Sequence, residues 1–170
     1  VVDEQDRLVR LDPGFHRFAE ENFWPDSGAS LGRFLWDFVA GEEMRKLQRM
    51  LLRRVRGSID GVELPFRCDG PTVKREMDIR IAPSSGGRLV LFAARLRAEE
   101  PREFQPLLDP EAERDEELLE MCGWCDRFAI AGHWVEVEEA ARRLRLFQRG
   151  LPPTISHDIC PDCSEMLLAA

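Results

Sequence analysis

The chain opens with two short apolar pairs, Val1-Val2 and Leu8-Val9, around the polar stretch Asp3-Glu4-Gln5-Asp6, a pattern that predicts a tight hairpin. Asp12-Pro13 follows as an N-cap with proline at the first helical position. Phe15, Phe18 and Ala19 give that helix an apolar face at i, i+3, i+4 spacing. Pro25-Asp26-Ser27-Gly28 reads as a loop, and a second short helix is expected to carry Phe34, Leu35, Trp36 and Phe38. The strongest helical period runs from about Glu42 to Arg56. There Met44, Leu47, Met50, Leu51 and Val55 form one stripe, and Arg45, Lys46, Arg49, Arg53 and Arg56 are left to solvent.

The period then changes to two. Leu64, Phe66 and Cys68 alternate with Pro65, Arg67 and Asp69, and Met77, Ile79 and Ile81 alternate with Glu76, Asp78 and Arg80, as in half-buried antiparallel strands. Ser84-Ser85-Gly86-Gly87 turns the chain into a third strand, Leu89 to Leu96, apolar on both faces and so expected to be central. Helices packed on one face of an antiparallel sheet make an α+β domain over residues 1–98. Residues 99–118 read as a charged linker whose first half is kept from helix by Pro101, Pro106 and Pro110, with a helix expected from Glu111 to Leu119. Residues 119–170 form a third segment, with a short amphipathic helix, Glu136 to Phe147, carrying Val137, Ala140, Ala141, Leu144 and Phe147.

Charge sharpens this division. Residues 1–98 carry a net charge of +2 and residues 99–170 a net charge of −10. An acidic second half is the wrong footprint for DNA or RNA, where clustered Lys and Arg neutralise phosphates. No apolar run reaches the 18 or so residues of a membrane span, and the first residues show no secretory signal. The chain begins with Val1 rather than Met, which reads as a trimmed piece of something longer. A cytoplasmic location is expected.

Four of the five cysteines fall in two pairs, Cys122-Gly123-Trp124-Cys125 and Cys160-Pro161-Asp162-Cys163. A C-x-x-C turn sets two thiolates on one side of a metal, and a second turn completes a tetrahedron. The expectation is one structural zinc per chain, held by Cys122, Cys125, Cys160 and Cys163, in a segment too small to fold on its own apolar surface. Gly123 is expected to permit the tight first turn. Iron in the same S₄ site, or a pair of redox thiols, are the alternatives. His157 stands close enough to replace one thiolate, or to hydrogen-bond a ligand sulfur or pack on Trp134. Trp124 and Trp134 are expected to form a miniature core of the tail. A Cys₄ set leaves no open coordination position, and no phosphate-binding glycine loop or nucleophile elbow is present, so no catalytic activity is expected.

The element order, from "VVDEQDRLVRLDPGFHRFAEEN" to "RLVLFAARL", resembles a PAS domain over residues 1–98. The stretches "LPFRCDGP" and "KREMDIRIAP" are similar to bacterial signalling proteins whose PAS-like domain precedes a cysteine-rich tail. "MCGWCDRF", "HWVEVEEA" and "SHDICPDC" look like a C-terminal module found beside PAS and receiver domains in bacterial two-component proteins. That module typically reads C-x-W-C, W-x-x-x-E and S-H-x-I-C-P-x-C, and Trp124, Trp134, Glu138, Ser156 and His157 match. The resemblance implies a five-stranded antiparallel sheet cupped by short helices, a non-catalytic sensory or regulatory role, a homodimer and a signalling protein partner. It also implies a pocket on the inner sheet face, where Phe18, Trp36, Phe66 and Met77 would gather, with Cys68 and Arg75 as polar anchors. The same large side chains can instead fill the space. No haem or flavin is expected, since no histidine lies on these strands or the long helix and no cysteine on the early helices. The competing readings are a zinc-dependent protein-interaction adaptor without a small-molecule ligand, and a thiol redox switch.

Overall fold

The computed structural model describes residues 1–22, 27–148 and 150–170, apart from the side chain of Phe147. Two of the expected features, the Pro25-Asp26 part of the first loop and the packing of Phe147, lie outside the described residues. Helix α1, Pro13–Glu21, starts where the N-cap signal sits: the Asp12 carboxylate accepts from the Gly14 and Phe15 N–H groups at 2.8 and 3.1 Å. Phe34 to Phe38 yields only a 3₁₀ turn, Leu35–Phe38, which buries Trp36. Helix α2, Glu42–Arg56, carries Glu42 and Glu43 in its first turn and Arg53, Arg54 and Arg56 in its last, the signs that suit the helix dipole. Its buried row is Met44, Leu51, Leu52 and Val55, with Leu52 in the place expected of Met50. Arg56 does not face solvent freely. Its guanidinium turns to Asp6 Oδ1, 2.6 Å away, and ties the helix end to the N-terminal turn.

Strands β1 (Val62–Arg67), β2 (Val73–Ser84) and β3 (Leu89–Pro101) form an antiparallel sheet in that order. The strand expected to be central, β3, lies at its edge. Among the described residues this sheet has three strands rather than five: Val2 makes single bridges to Val90 and Leu8, so the N-terminal hairpin adds two bridge positions beside β3. The reason is local. Asp3 Oδ1 accepts from the Gln5 and Arg7 N–H groups, Asp6 adopts a φ of 61°, and Leu8 turns its backbone to Gly32 and Arg33. One residue on each side of the turn remains to pair.

The second half builds a separate mixed sheet in the order β6-β5-β4-β7. Its strands are β4 (Leu118–Cys122), β5 (Phe128–Ile130), β6 (His133–Val135) and β7 (Thr154–Asp158), with helices α3 (Val137–Arg143) and α4 (Pro161–Ala169). The helix expected from Glu111 to Leu119 is absent, and the amphipathic helix ends at Arg143 rather than Phe147. Five carboxylates among residues 111–117 would crowd a helix with like charges. The segment runs extended instead, where Arg114 donates to the carbonyls of Leu107, Asp109 and Pro153 and the Thr154 N–H donates to Glu117 O. Among the described residues no helix is long and apolar enough to cross a membrane.

Two apolar clusters result. One, with Leu107, Leu119, Phe128, Val137 and Ala141, belongs to the second half, and the linker supplies Leu107 to it. The other crosses the linker: Met44, Leu51, Val55, Leu64 and Ile81 share it with Cys122, Trp124, Cys160, Cys163 and Leu167. Trp124 lies in this shared core, with Trp134 packed against it, and not in a core of the tail alone. Gly41, just before α2, marks how tightly the halves meet. Its φ is 83°, and a β-carbon there would sit 2.7 Å from the carbonyl oxygen of His157 on β7. Gly41→Ala is therefore expected to cost on the order of 2 kcal/mol of stability, read as a lowered urea midpoint with an unchanged slope. A midpoint equal to that of the unsubstituted protein would show that the contact yields freely.

Candidate metal centre

The two C-x-x-C turns meet because β4 and β7 run parallel. Their register pairs Leu118 with Thr154 and Cys122 with Asp158, so both strands deliver their cysteines at the same end of the sheet. The Gly123 N–H donates to Asp158 O at 2.9 Å and extends the ladder into the first turn. Gly123 is not needed for a left-handed conformation. The positive φ falls at Asp126, 57°, and a β-carbon on Gly123 would make only an ordinary contact with Met44 Cε at 3.6 Å. Beyond β7, Cys160 is the N-cap of α4, with Pro161 at its first turn. Cys160 and Cys163 therefore face the positive end of the helix dipole, which favours thiolate.

The Sγ atoms of Cys122, Cys125, Cys160 and Cys163 all lie within 4.8 Å of one another, and Cys125 and Cys160 are 3.8 Å apart. A disulfide needs about 2.05 Å. A tetrahedral MS₄ unit with bonds of about 2.3 Å has edges of about 3.8 Å. The spacing fits a shared ion, the donors are soft sulfur, and Cys122 and Cys160 are fully buried. These four cysteines could hold a metal ion, and none is in a disulfide. Thiol-to-thiol hydrogen bonds from Cys125 and Cys163, with the Cys160 and Trp124 N–H groups, hold Cys122 far below the usual thiol range, and the same sharing pushes Cys163 up.

Arg127, which no sequence motif marks, faces this sulfur cluster. Its Nε lies 3.2 Å from Cys125 Sγ, and its Nη2 lies 3.3 Å from Cys160 Sγ and 2.8 Å from Asp162 Oδ2. These partners raise its pKa further above the range of pH where it could lose its proton. The only signal in sequence was a cation two residues after the first C-x-x-C.

The first turn is also fastened to β1. The Arg67 N–H donates to Trp124 O at 3.0 Å, the Trp124 indole donates to Pro65 O at 2.7 Å, and the Asp69 N–H donates to Asp126 Oδ2 at 2.8 Å. Burial pushes the Asp126 carboxyl up to about 7, against the pull of that N–H. Asp69, whose side chain is fully buried, pairs with Arg67 and, at 2.8 Å, with Arg102 Nη2. Glu136 faces Arg67, and Glu138, one of the residues matching the tail module, stands 3.5 Å from Arg102.

His157 lies on β7 outside the four-sulfur cluster, lining one hollow together with Phe38, Met44, Gly123 and Asp126, and burial lowers its pKa. The expected pocket residues do not converge. Trp36 borders a hollow of about 170 Å³ between α2 and the sheet, which Trp124 also lines. Phe66 and Met77 border a depression on the other side of Trp124, next to Cys125 and Cys163. Arg75 is held by Glu99 at 2.8 Å and Asn22 at 2.9 Å, over the ring of Phe18. Cys68 is half-buried, and burial pushes its thiol up to about 11. Asp69→Asn leaves Arg67 and Arg102 with one charge fewer between them, inside the seam that fastens the first turn. The expected loss is about 3 kcal/mol by urea denaturation, at the low end for a broken buried pair because Glu136 and Glu138 remain. A loss below about 1 kcal/mol would place the pair among ordinary surface ion pairs.

Comparison with protein-family models, with curated proteins and with solved structures finds no match to this chain.

Proposed function

We propose that this chain is a non-catalytic regulatory module of bacterial signal transduction, in which a PAS-like domain is coupled to a structural zinc site. The observation that carries the reading is the set of four sulfurs within 4.8 Å of one another, in an apolar cluster shared with α2 and the first sheet. Zinc suits it as a four-coordinate ion with a closed thiolate set. Such a site contributes folding free energy and offers no position for substrate, which supports a non-enzymatic role. The PAS-like part has its own support. Val2 bridges Val90 on β3 on one side and Leu8 on the other, and a PAS-like order would give these two positions to further strands. Four closely spaced free thiols also suit a reducing, cytoplasmic setting.

A second reading, a zinc-dependent interaction adaptor with no small-molecule ligand, is favoured by the size of the hollow beneath α2. Its 170 Å³ falls below the 300 Å³ or so of ordinary ligand sites, and haem and flavin are larger still. A reproducible extra mass beyond protein and zinc in native mass spectrometry would decide for a ligand-binding sensor. On either reading we propose a homodimer with a signalling protein as partner. Support comes from β3, which runs exposed from Ala93 to its end and leaves Leu96 49% exposed.

Elemental analysis of protein purified without added metal is expected to give one zinc per chain. Absence of metal would overturn the site, and iron would overturn its identity. Because the metal-bearing turns share a core with the sheet, a chelator is expected to melt both halves in one transition, at a lower temperature than before. Survival of the sheet after loss of the tail would show that the shared core is dispensable. Light scattering at high concentration is expected to return twice the chain mass, and a monomer mass would refute the dimer.

A further inference from the structure

The four sulfurs are not equivalent. Cys122 Sγ accepts the Cys160 N–H at 3.4 Å, and Cys125 Sγ accepts the Arg127 Nε–H at 3.2 Å. Cys160 Sγ accepts from Arg127 Nη2 at 3.3 Å and from the Cys163 N–H at 3.5 Å. Among the described residues no N–H donates to Cys163 Sγ. Each N–H bond to a thiolate draws electron density from sulfur and lowers its nucleophilicity, so Cys163 keeps the most reactive lone pairs. It also has an approach. A depression of about 270 Å³ is lined by Cys163 and Cys125, by the apolar Phe66, Met77, Trp124 and Met166, and by the charged Arg67, Glu76 and Arg97. Arg67 is paired with Asp69 and Glu136, and Arg97 with Glu76, so the depression suits a small uncharged molecule better than a charged one.

We propose that Cys163 is a modification site, the ligand through which small, uncharged, soft electrophiles such as α,β-unsaturated carbonyl compounds open the metal centre. With a metal bound, all four sulfurs would be thiolates, and that of Cys163 adds to the β-carbon of the unsaturated compound, forming a C–S bond. The π pair moves to the α-carbon, which takes a proton from water, and the thioether that results is a poor ligand. No electrons are exchanged with a third component. The inference rests on the metal reading, and it sets hydrogen bonding against exposure. Cys163 is 6% exposed, whereas Cys125 is the more accessible sulfur but carries the guanidinium bond.

The probe is N-ethylmaleimide at less than one equivalent, applied to the full chain in a Cys68→Ser background. Adducts are located by peptide mass mapping, and released metal is followed with a chromogenic chelator. Cys163 is expected to be labelled on the order of tenfold faster than Cys125, with metal release in step with the adduct. First labelling at Cys125, Cys122 or Cys160, or simultaneous labelling of all four, overturns the proposal. Metal content measured beforehand on the same sample separates the two failures. A metal-free protein sinks the metal reading and this inference with it, whereas a metal-loaded protein labelled elsewhere sinks this inference alone. Arg127→Met removes the N–H donors from Cys125 and Cys160, and is expected to bring Cys125 to a rate similar to that of Cys163. An unchanged Cys125 rate in that variant overturns the hydrogen-bond argument.

Discussion

The fold depends on how the open edge of β1 is closed. In the order β1-β2-β3, β1 has a neighbour on one side only, and an unpaired strand edge is exposed to unwanted association unless something covers it. Trp124 covers it. Its carbonyl takes the Arg67 N–H, its indole donates to the Pro65 carbonyl, and its ring packs against Phe66 at 6.1 Å between centroids. Pro65 brings no N–H of its own, so this edge position presents an acceptor alone, which the indole meets. A residue inside the first C-x-x-C turn thus acts as the next element of the other half's sheet. Whatever fixes that turn also fixes β1, and through the β1–β2 register it reaches the floor beneath α2.

Parallel pairing of β4 with β7 is the second requirement. A parallel neighbour needs a crossover, here β5, β6 and α3 between residues 123 and 153, and the crossover carries its own apolar cluster. That cluster lies away from the cysteines, while the cysteine-bearing end of the sheet turns toward α2. The second half therefore has one core of its own and contributes one face to another. A metal there would do more than tie together a small tail, because Cys122, Cys160 and Cys163 are themselves among the buried members of the shared core.

Local signals in the sequence carried far. The N-cap at Asp12, the amphipathic period of α2, the alternation in β1 and β2 and the identity of the four cysteines all follow from residues within one or two turns of one another. What escaped was set by contacts distant in sequence. The helix expected from Glu111 to Leu119 overlaps the first two residues of β4, because the partner that makes them a strand, β7, lies more than thirty residues on. The N-terminal pairs looked like strands, since nothing local shows Gly32 and Arg33 taking the Leu8 backbone. Cys68 and Arg75 alternate correctly for an inward face, yet Asn22 and Glu99 claim Arg75 from other elements. Arg127 carries no local motif because its role depends on Cys160, 33 positions later.

The charge asymmetry takes on a different meaning in three dimensions. In sequence, +2 against −10 reads as a break in architecture near residue 99. In the fold, part of that imbalance is matched across the break, where Arg67 meets Glu136 and Arg75 meets Glu99, while Asp69 and Arg102 pair across it in the opposite sense. Arg54 on α2 reaches across as well, to the carbonyl of Leu168 in the last turn of α4, at 2.6 Å. Pairs with an exposed member contribute little each, but the Asp69 group is buried, and there a missing charge is felt strongly. Four thiolates around a divalent ion would carry a net charge of about −2, a burden for an acidic half to bear in its interior. Arg127 reduces it at the sulfurs, and the cations of the seam lie close by. Thus the acidic second half is in part the complement of the basic first half, and the seam between them is where the two C-x-x-C turns are placed.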